Sequence, residues 1–258
     1  MPARFAAALT LLCLPALSGA AAPACTATSG KLAPAVVELY TSEGCDSCPP
    51  ADRWLAALKD HAAAGKVVPL AFHIDYWDYL GWKDRFADPA FGARHREAAS
   101  RGGARVVYTP QVLVEGREFQ QWRRTSPDKL AAAAPAKAAR AELRVSAVTA
   151  AAGQLQVNVA GRTLPGARAA AAYVALYENG LSSDVKSGEN KGVVLRHDFV
   201  VRRWVGPFAF DAGALDLTQT LALAADAVPG QSGVAVIAVD DRGSTLQALA
   251  LPLRDCGG

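Results

Sequence analysis

The sequence predicts a chain in two parts: an α/β domain over residues 35–140, then an antiparallel β-sandwich over residues 141–258. Three observations carry this reading. Strand-like and helix-like segments alternate as far as about Arg140. A Cys45-x-x-Cys48 pair stands where one such strand gives way to a helix. Beyond Arg140, short strand-like runs follow one another without helices, the spacing of a small sandwich.

The first segment, "MPARFAAALTLLCLPALSGAAAPAC", has Arg4, then an apolar run from Phe5 to Leu17, then small residues Ser18-Gly19-Ala20. This predicts a secretory signal over residues 1–20, leaving 21–34 as an N-terminal segment. The apolar run is shorter than the roughly 20 residues that span a bilayer. "APAC" loosely resembles a lipidation site ending at Cys25, although Pro23 interrupts it. No later segment approaches membrane length, so the exported chain is expected to have no transmembrane segment.

Within the α/β half, Val36 to Tyr40 is a β-rich run, and "ADRWLAALKDHAAAG" reads as a helix stopped by Gly65. Prolines 49 and 50 are tolerated in its first turn, where backbone N–H groups lack helical partners. "KVVPLAFHIDYW" is apolar enough for a strand covered on both faces. An aromatic-rich irregular stretch follows, then a helix from about Ala90 to Ala99. Val112–Val114 and Arg117–Phe119 flank Glu115-Gly116, a hairpin signature. Ser126 and Pro127 open a last helix as N-cap and first helical residue, and Pro135 kinks or ends it.

Formal net charge is +3 and no basic cluster stands out, which argues against nucleic acid as a partner. Five cysteines become four once the signal, with Cys13, is removed. An even count in an exported chain points to disulfides. Cys25 and Cys256 are the pair outside the C-x-x-C, so a structural disulfide between them is expected.

The C-x-x-C carries the chemistry. Placed after a strand and opening a helix, it reads as a thioredoxin-like redox motif. The attacking species is a thiolate, which a helix N-terminus stabilises through its dipole and free N–H groups. Two intervening residues let the second cysteine close a small reversible disulfide. Neither Lys, Arg nor His lies between Thr41 and Asp52, whereas Glu43 and Asp46 do, and nearby carboxylates disfavour a thiolate. A purely structural disulfide is the plainer alternative. Zinc would need a second C-x-x-C or a close His pair, and neither is present. His73 and Asp75 read better as a strand histidine and its neighbour than as a metal pair; His95 and His197 have no evident constellation. Asp184, Glu189 and Asn190 lack the spacing of a calcium loop and read as turn residues. Trp77, Tyr79 and Trp82, in "HIDYWDYLGWKDRF", are expected to form an apolar lip for substrate beside the disulfide.

"ELYTSEGCDSCPPAD", "FHIDYWDYLGWKDRF" and "VYTPQVLVEG" resemble a family of secreted bacterial proteins known as domain of unknown function 1223, within the thioredoxin-like superfamily. The resemblance runs from about Ala35 towards the C-terminus, taking in "ENG" and "GENKG". The helix before "YTPQ" departs from the pattern, with Arg94-His95 and Ala98 where Arg-Gln and a later tyrosine are expected. The resemblance implies that Thr109-Pro110 is a cis-proline segment packed against the disulfide, leaving backbone free for a substrate chain. It also implies that an acid on the strand before the motif, here Glu38, accepts the proton of the second cysteine.

The expected function is thiol–disulfide oxidoreduction on exported proteins in the periplasm or outside the cell. Cys45 is the nucleophile and Cys48 the resolving thiol; no organic cofactor and no metal are implied. Two rivals stand beside it: a non-enzymatic binding module with a permanently closed disulfide, and a metal chaperone using Cys45, Cys48 and His73. An accessible Cys45 sulfur favours the enzyme, two buried sulfurs favour the module, and a His73 nitrogen near both favours metal.

Overall fold

The computed structural model describes residues 25–104, 106–133, 137–150 and 153–256. The expected signal and residues 21–24 of the segment after it lie outside these residues, as does Pro135. The described chain is a mixed α/β structure of sheets with few helices.

In chain order, β1 (Cys25–Thr28) and the short β2 (Leu32–Ala33) lead to β3 (Ala35–Thr41). The helix read as continuous divides into α1 (Pro49–Ala56) and α2 (Lys59–Ala63), ending at Gly65 with φ +67°. β4 (Val67–His73) is buried along its whole length, as its unbroken apolar run requires. A 3₁₀ turn over Asp75–Leu80 precedes α3 (Pro89–Arg101), which is capped by Asp88 accepting from the Ala90 N–H at 2.9 Å. β5 (Gln111–Val114) and β6 (Arg117–Glu118) form the predicted hairpin; Glu115 and Gly116 take φ of +53° and +72°, as a tight two-residue turn demands. Ser126 then caps α4 (Pro127–Ala133).

The second half is strands: β7 (Lys137–Ala138), β8 (Ala141–Ala150), β9 (Gln154–Thr163), β10 (Ala171–Glu178), β11 (Leu181–Asp184), β12 (Val194–His197), β13 (Val200–Ala209), β14 (Ala214–Ala222), β15 (Ser232–Val239) and β16 (Thr245–Pro252). They do not keep to themselves. One eight-stranded sheet runs β16-β15-β10-β13-β4-β3-β5-β6, so it crosses the boundary expected at residue 140. Val200 of β13 pairs parallel with Ala71 of β4, and the Ala71 N–H donates to the Phe199 carbonyl at 2.8 Å. The reason is an edge: β4 is apolar on both faces, and left unpaired it would expose a row of backbone donors and acceptors. A second sheet, β1-β8-β9-β14, includes a strand from the N-terminal segment.

Alternation along the strands gives the eight-stranded sheet two cores. Ala172, Val174 and Leu176, with Val234 and Val236, pack against Leu143, Val145, Val157 and Val159 of the four-stranded sheet. Ala175, Tyr177, Ala235 and Ile237 face the other way, into the core that holds Leu55, Leu58, Phe91 and Leu130 of the helices.

Candidate functional site

β3 delivers the chain to the redox loop. Residues 37, 39 and 41 share one face of it, 38 and 40 the other. After Thr41 the loop turns tightly: Cys45 N–H donates to Ser42 O, and Cys48 N–H to Cys45 O, each at 3.2 Å. Cys45 and Cys48 are disulfide-bonded, with Cα atoms 5.4 Å apart. Cys48 is the N-cap residue of α1, with prolines in the first turn, so the motif sits at the helix N-terminus as read from the sequence. Cys45 is 1% exposed and Cys48 0%. Asp46 and Ser47 between them are exposed, and Ser47 Oγ lies 3.4 Å from Cys45 Sγ.

Beside the loop stands Trp77. A Cβ at Gly44 would fall 2.7 Å from Trp77 Cβ, so only glycine lets the Trp77 backbone come this close to the redox loop. Trp77 Nε1 donates to Thr109 Oγ1 at 2.8 Å. The Thr109–Pro110 bond is cis and Pro110 is buried. Because Gln111 pairs with Tyr40, Pro110 follows at the end of β3 from which the redox loop emerges. Tyr76, Trp77, Tyr79, Val107, Tyr108 and Thr109 line an open groove of about 300 Å³. Tyr79 is 77% exposed and stacks on Trp77. Desolvation, then its hydrogen bond to Glu118, pushes the Tyr108 phenol up to about 12, so it stays a donor. Trp82, expected in the same lip, is elsewhere. Its Nε1 donates to Glu43 Oε2 at 2.8 Å, which turns the indole towards the buried side of the loop.

Behind the disulfide lies a cluster of titratable groups. His73 Nδ1 is 2.7 Å from Asp84 Oδ2, both fully buried. That carboxylate oxygen also accepts from the Glu43 N–H at 2.9 Å, while Oδ1 accepts from Phe86 N–H. Burial opposes the charge on each partner, yet Asp84 holds His73 above the ordinary imidazole range, and His73 with the two backbone donors holds Asp84 below the carboxylate range. His197 Nε2 stands 3.2 Å from Glu43 Oε1, and its Nδ1 4.0 Å from Asp52 Oδ2. Burial disfavours a charged Glu43, but His197, Ser183 and Trp82 together hold it below its usual value. Asp52 goes the other way: burial raises it, against the pull of His197. Among the described residues, no group of three or more His, Cys, Asp or Glu has a metal-holding arrangement.

Glu38 is not part of this cluster. Thr41 faces Asp52 of α1, which marks the α1 side of β3; Glu38 and Tyr40 face α3 instead. There the Glu38 carboxylate pairs with Arg94 and accepts from Tyr40 OH at 2.9 Å. Arg94 in turn lies over Trp204, 3.8 Å from the ring centroid, and His95 stacks on Tyr40 at 4.1 Å. Arg94 and His95 thus both pack on that face. Cys25 and Cys256 are also disulfide-bonded, Cα atoms 4.9 Å apart, tying β1 to the chain after β16.

Two contributors come from far along the chain. The hairpin of β11 and β12 carries a turn whose Asn190 is buried, and Asn190 Nδ2 donates to Glu43 O at 2.8 Å and Cys45 O at 2.9 Å. Glu189 Oε2 accepts from Asp46 N–H at 3.0 Å. "GENKG" marks a turn but says nothing of what the turn touches. His197 carried no signal at all: its partners are 154 and 145 residues away (197 − 43 and 197 − 52).

Residues 36–239 match the model of a family described as a protein of unknown function, DUF1223. No curated protein matches the chain. Among solved structures, protein AGR_C_4864 from Agrobacterium tumefaciens is similar at 26% identity and a TM-score of 0.56, over 86% of this chain and 96% of that one. HBP35 of Porphyromonas gingivalis shares the fold with a TM-score of 0.66 at 15% identity, over 88% of this chain and 77% of the other.

Proposed function

We propose, from the premise that this chain belongs to the DUF1223 family, that it is a thioredoxin-like thiol–disulfide oxidoreductase acting on exported proteins. The observation that carries the reading is the joint placement of the Cys45–Cys48 disulfide at the N-terminus of α1 and of Thr109-Pro110 at the same end of β3, bridged by Trp77. The order β4-β3-β5-β6, parallel for β3 and β4 and antiparallel beyond, supports the thioredoxin-like half. Two disulfides, together with a signal-like start, support export.

In the reducing direction, the Cys45 thiolate attacks one sulfur of a substrate disulfide and displaces the other as thiolate. Cys48, as thiolate, then attacks Cys45 Sγ. The second substrate thiol leaves, two electrons have passed to the substrate, and the Cys45–Cys48 disulfide remains. The opposite direction runs the same bonds in reverse. Trp77 and Tyr79 offer the apolar surface, and Thr109 and Pro110 the backbone side of the groove. Glu38 has no step here, because its carboxylate is engaged by Arg94 on the far face of the sheet.

The burial of both cysteines favours a second reading, a binding module whose disulfide stays closed. Insulin reduction by dithiothreitol separates the two. The oxidoreductase accelerates it and the Cys45→Ser variant does not; equal, uncatalysed rates for both leave the module.

A further inference from the structure

Cys45 is buried, and a polar turn from far along the chain is bonded to the loop that carries it. Residues 186–192 form the tip of the β11–β12 hairpin, closed on itself by Gly192 N–H to Val185 O at 2.8 Å and Val193 N–H to Asn190 O at 3.0 Å. Gly188 takes φ +75°, which brings the turn close to Trp82 and Leu80. The turn reaches the redox loop through three hydrogen bonds: the two from Asn190 and the one accepted by Glu189. All three end on backbone atoms of Glu43, Cys45 and Asp46, so they constrain the segment that carries the attacking sulfur.

We infer that Asn190 and Glu189 are positioning residues of the redox loop: Asn190 holds Cys45 in its buried place, and Glu189 suppresses its thiolate. This deepens the reading above and rests on it for its biological meaning. Asn190 is itself buried, and its amide donates to two loop carbonyls, that of Glu43 and that of Cys45, the latter shared with the Cys48 N–H. Lifting the turn breaks those bonds and opens a path to Cys45. Glu189 acts through charge and through occupancy. Its carboxylate takes the N–H of Asp46, a donor next to Cys45 that could otherwise serve a developing thiolate, and puts a negative charge beside it. The neighbouring titratable groups are Asp46 and Glu43 on the loop, Asp52 on α1, His73 on β4, Asp84, and His197 on β12; Lys191 on the turn is exposed. None of them changes when Glu189 is replaced.

The test reads Cys45 directly in the purified, folded protein. Opening the Cys45–Cys48 bond by dithiothreitol takes two electrons and two protons from that dithiol, which closes to its own cyclic disulfide. Asn190→Ala is expected to speed this opening about fivefold or more, the effect of losing one or two net hydrogen bonds. Asn190→Asp, the same shape without the donors, behaves as Ala does; a role in packing alone would leave it at the wild-type rate. In the reduced protein, Glu189→Gln moves the pH of half-maximal alkylation of Cys45 by iodoacetamide down by about half a unit, a modest shift because Glu189 is exposed and screened. Unchanged opening rates in both Asn190 variants, with an unchanged alkylation profile in Glu189→Gln, overturn the inference. Should the Asn190 variants fail to fold, the Glu189→Gln profile decides alone. Altered thiol chemistry with no insulin reduction sinks the oxidoreductase reading and leaves this one standing.

Discussion

Trp77 Nε1 lies 2.8 Å from Thr109 Oγ1, and this hydrogen bond joins the aromatic segment after β4 to the residue before Pro110. The Cβ and carbonyl of Trp77 lie against Gly44, so one residue sets the spacing between the redox loop and the groove. Trp77→Phe keeps an aromatic side chain but removes the donor and part of the ring system. It is expected to cut exchange with protein disulfides severalfold while lowering stability by about 1–3 kcal/mol, the ordinary range for a single substitution. Parallel insulin-reduction and urea-unfolding measurements check this; a large stability loss with unchanged exchange would assign the indole to the core.

The His73–Asp84 pair makes stability depend on pH from both sides. His73 is held above its unfolded value, so its contribution is complete below about pH 6.5 and is lost as pH rises through the folded value. Asp84 is held below its unfolded value, so its contribution is present above about pH 4 and is lost as pH falls through the folded value. Asp84→Asn leaves His73 without its counter-charge in a fully buried site and is expected to cost about 3–5 kcal/mol. The alkaline decline in urea midpoint seen for the wild type should flatten in this variant. A variant as stable as the wild type, with the same alkaline slope, contradicts the pairing.

Asp52 has the opposite sign. Its folded value is raised, so the folded chain holds this proton more tightly than the unfolded chain does. Ionising it therefore costs stability, a cost absent at low pH and growing as pH climbs through the unfolded and then the folded value. Asp52→Asn removes that cost. Its unfolding midpoint should match or exceed the wild type at pH 7, and the advantage should vanish below about pH 4. A variant less stable than the wild type at pH 7 but not at pH 4 would show that the charged form is the one the fold uses.

Local features were legible in the sequence because short-range chemistry sets them. The Cys45-x-x-Cys48 loop, the Glu115-Gly116 turn and the Ser126-Pro127 helix start each depend on residues a few positions apart. The sheet that crosses residue 140 was not legible. Strand patterns show which faces are buried, but not that β13 would complete the edge of β4. The burial of Glu38 followed from its strand, yet its partner Arg94, 56 residues on, decided what the carboxylate does. Asn190 and His197 reach the site through the β11–β12 hairpin, and no spacing rule connects them to a cysteine 145 or more residues earlier.

The central claim is that Cys45 attacks and Cys48 resolves. Mixed-disulfide trapping in cells that export the protein tests it most directly. With Cys48→Ser, the intermediate cannot be released, so protein partners should accumulate linked through Cys45, identified by mass spectrometry of the non-reduced adducts. Cys45→Ser should trap none. Adducts through Cys48 in the Cys45→Ser variant would reverse the roles, and the absence of adducts from Cys48→Ser would contradict the exchange activity itself.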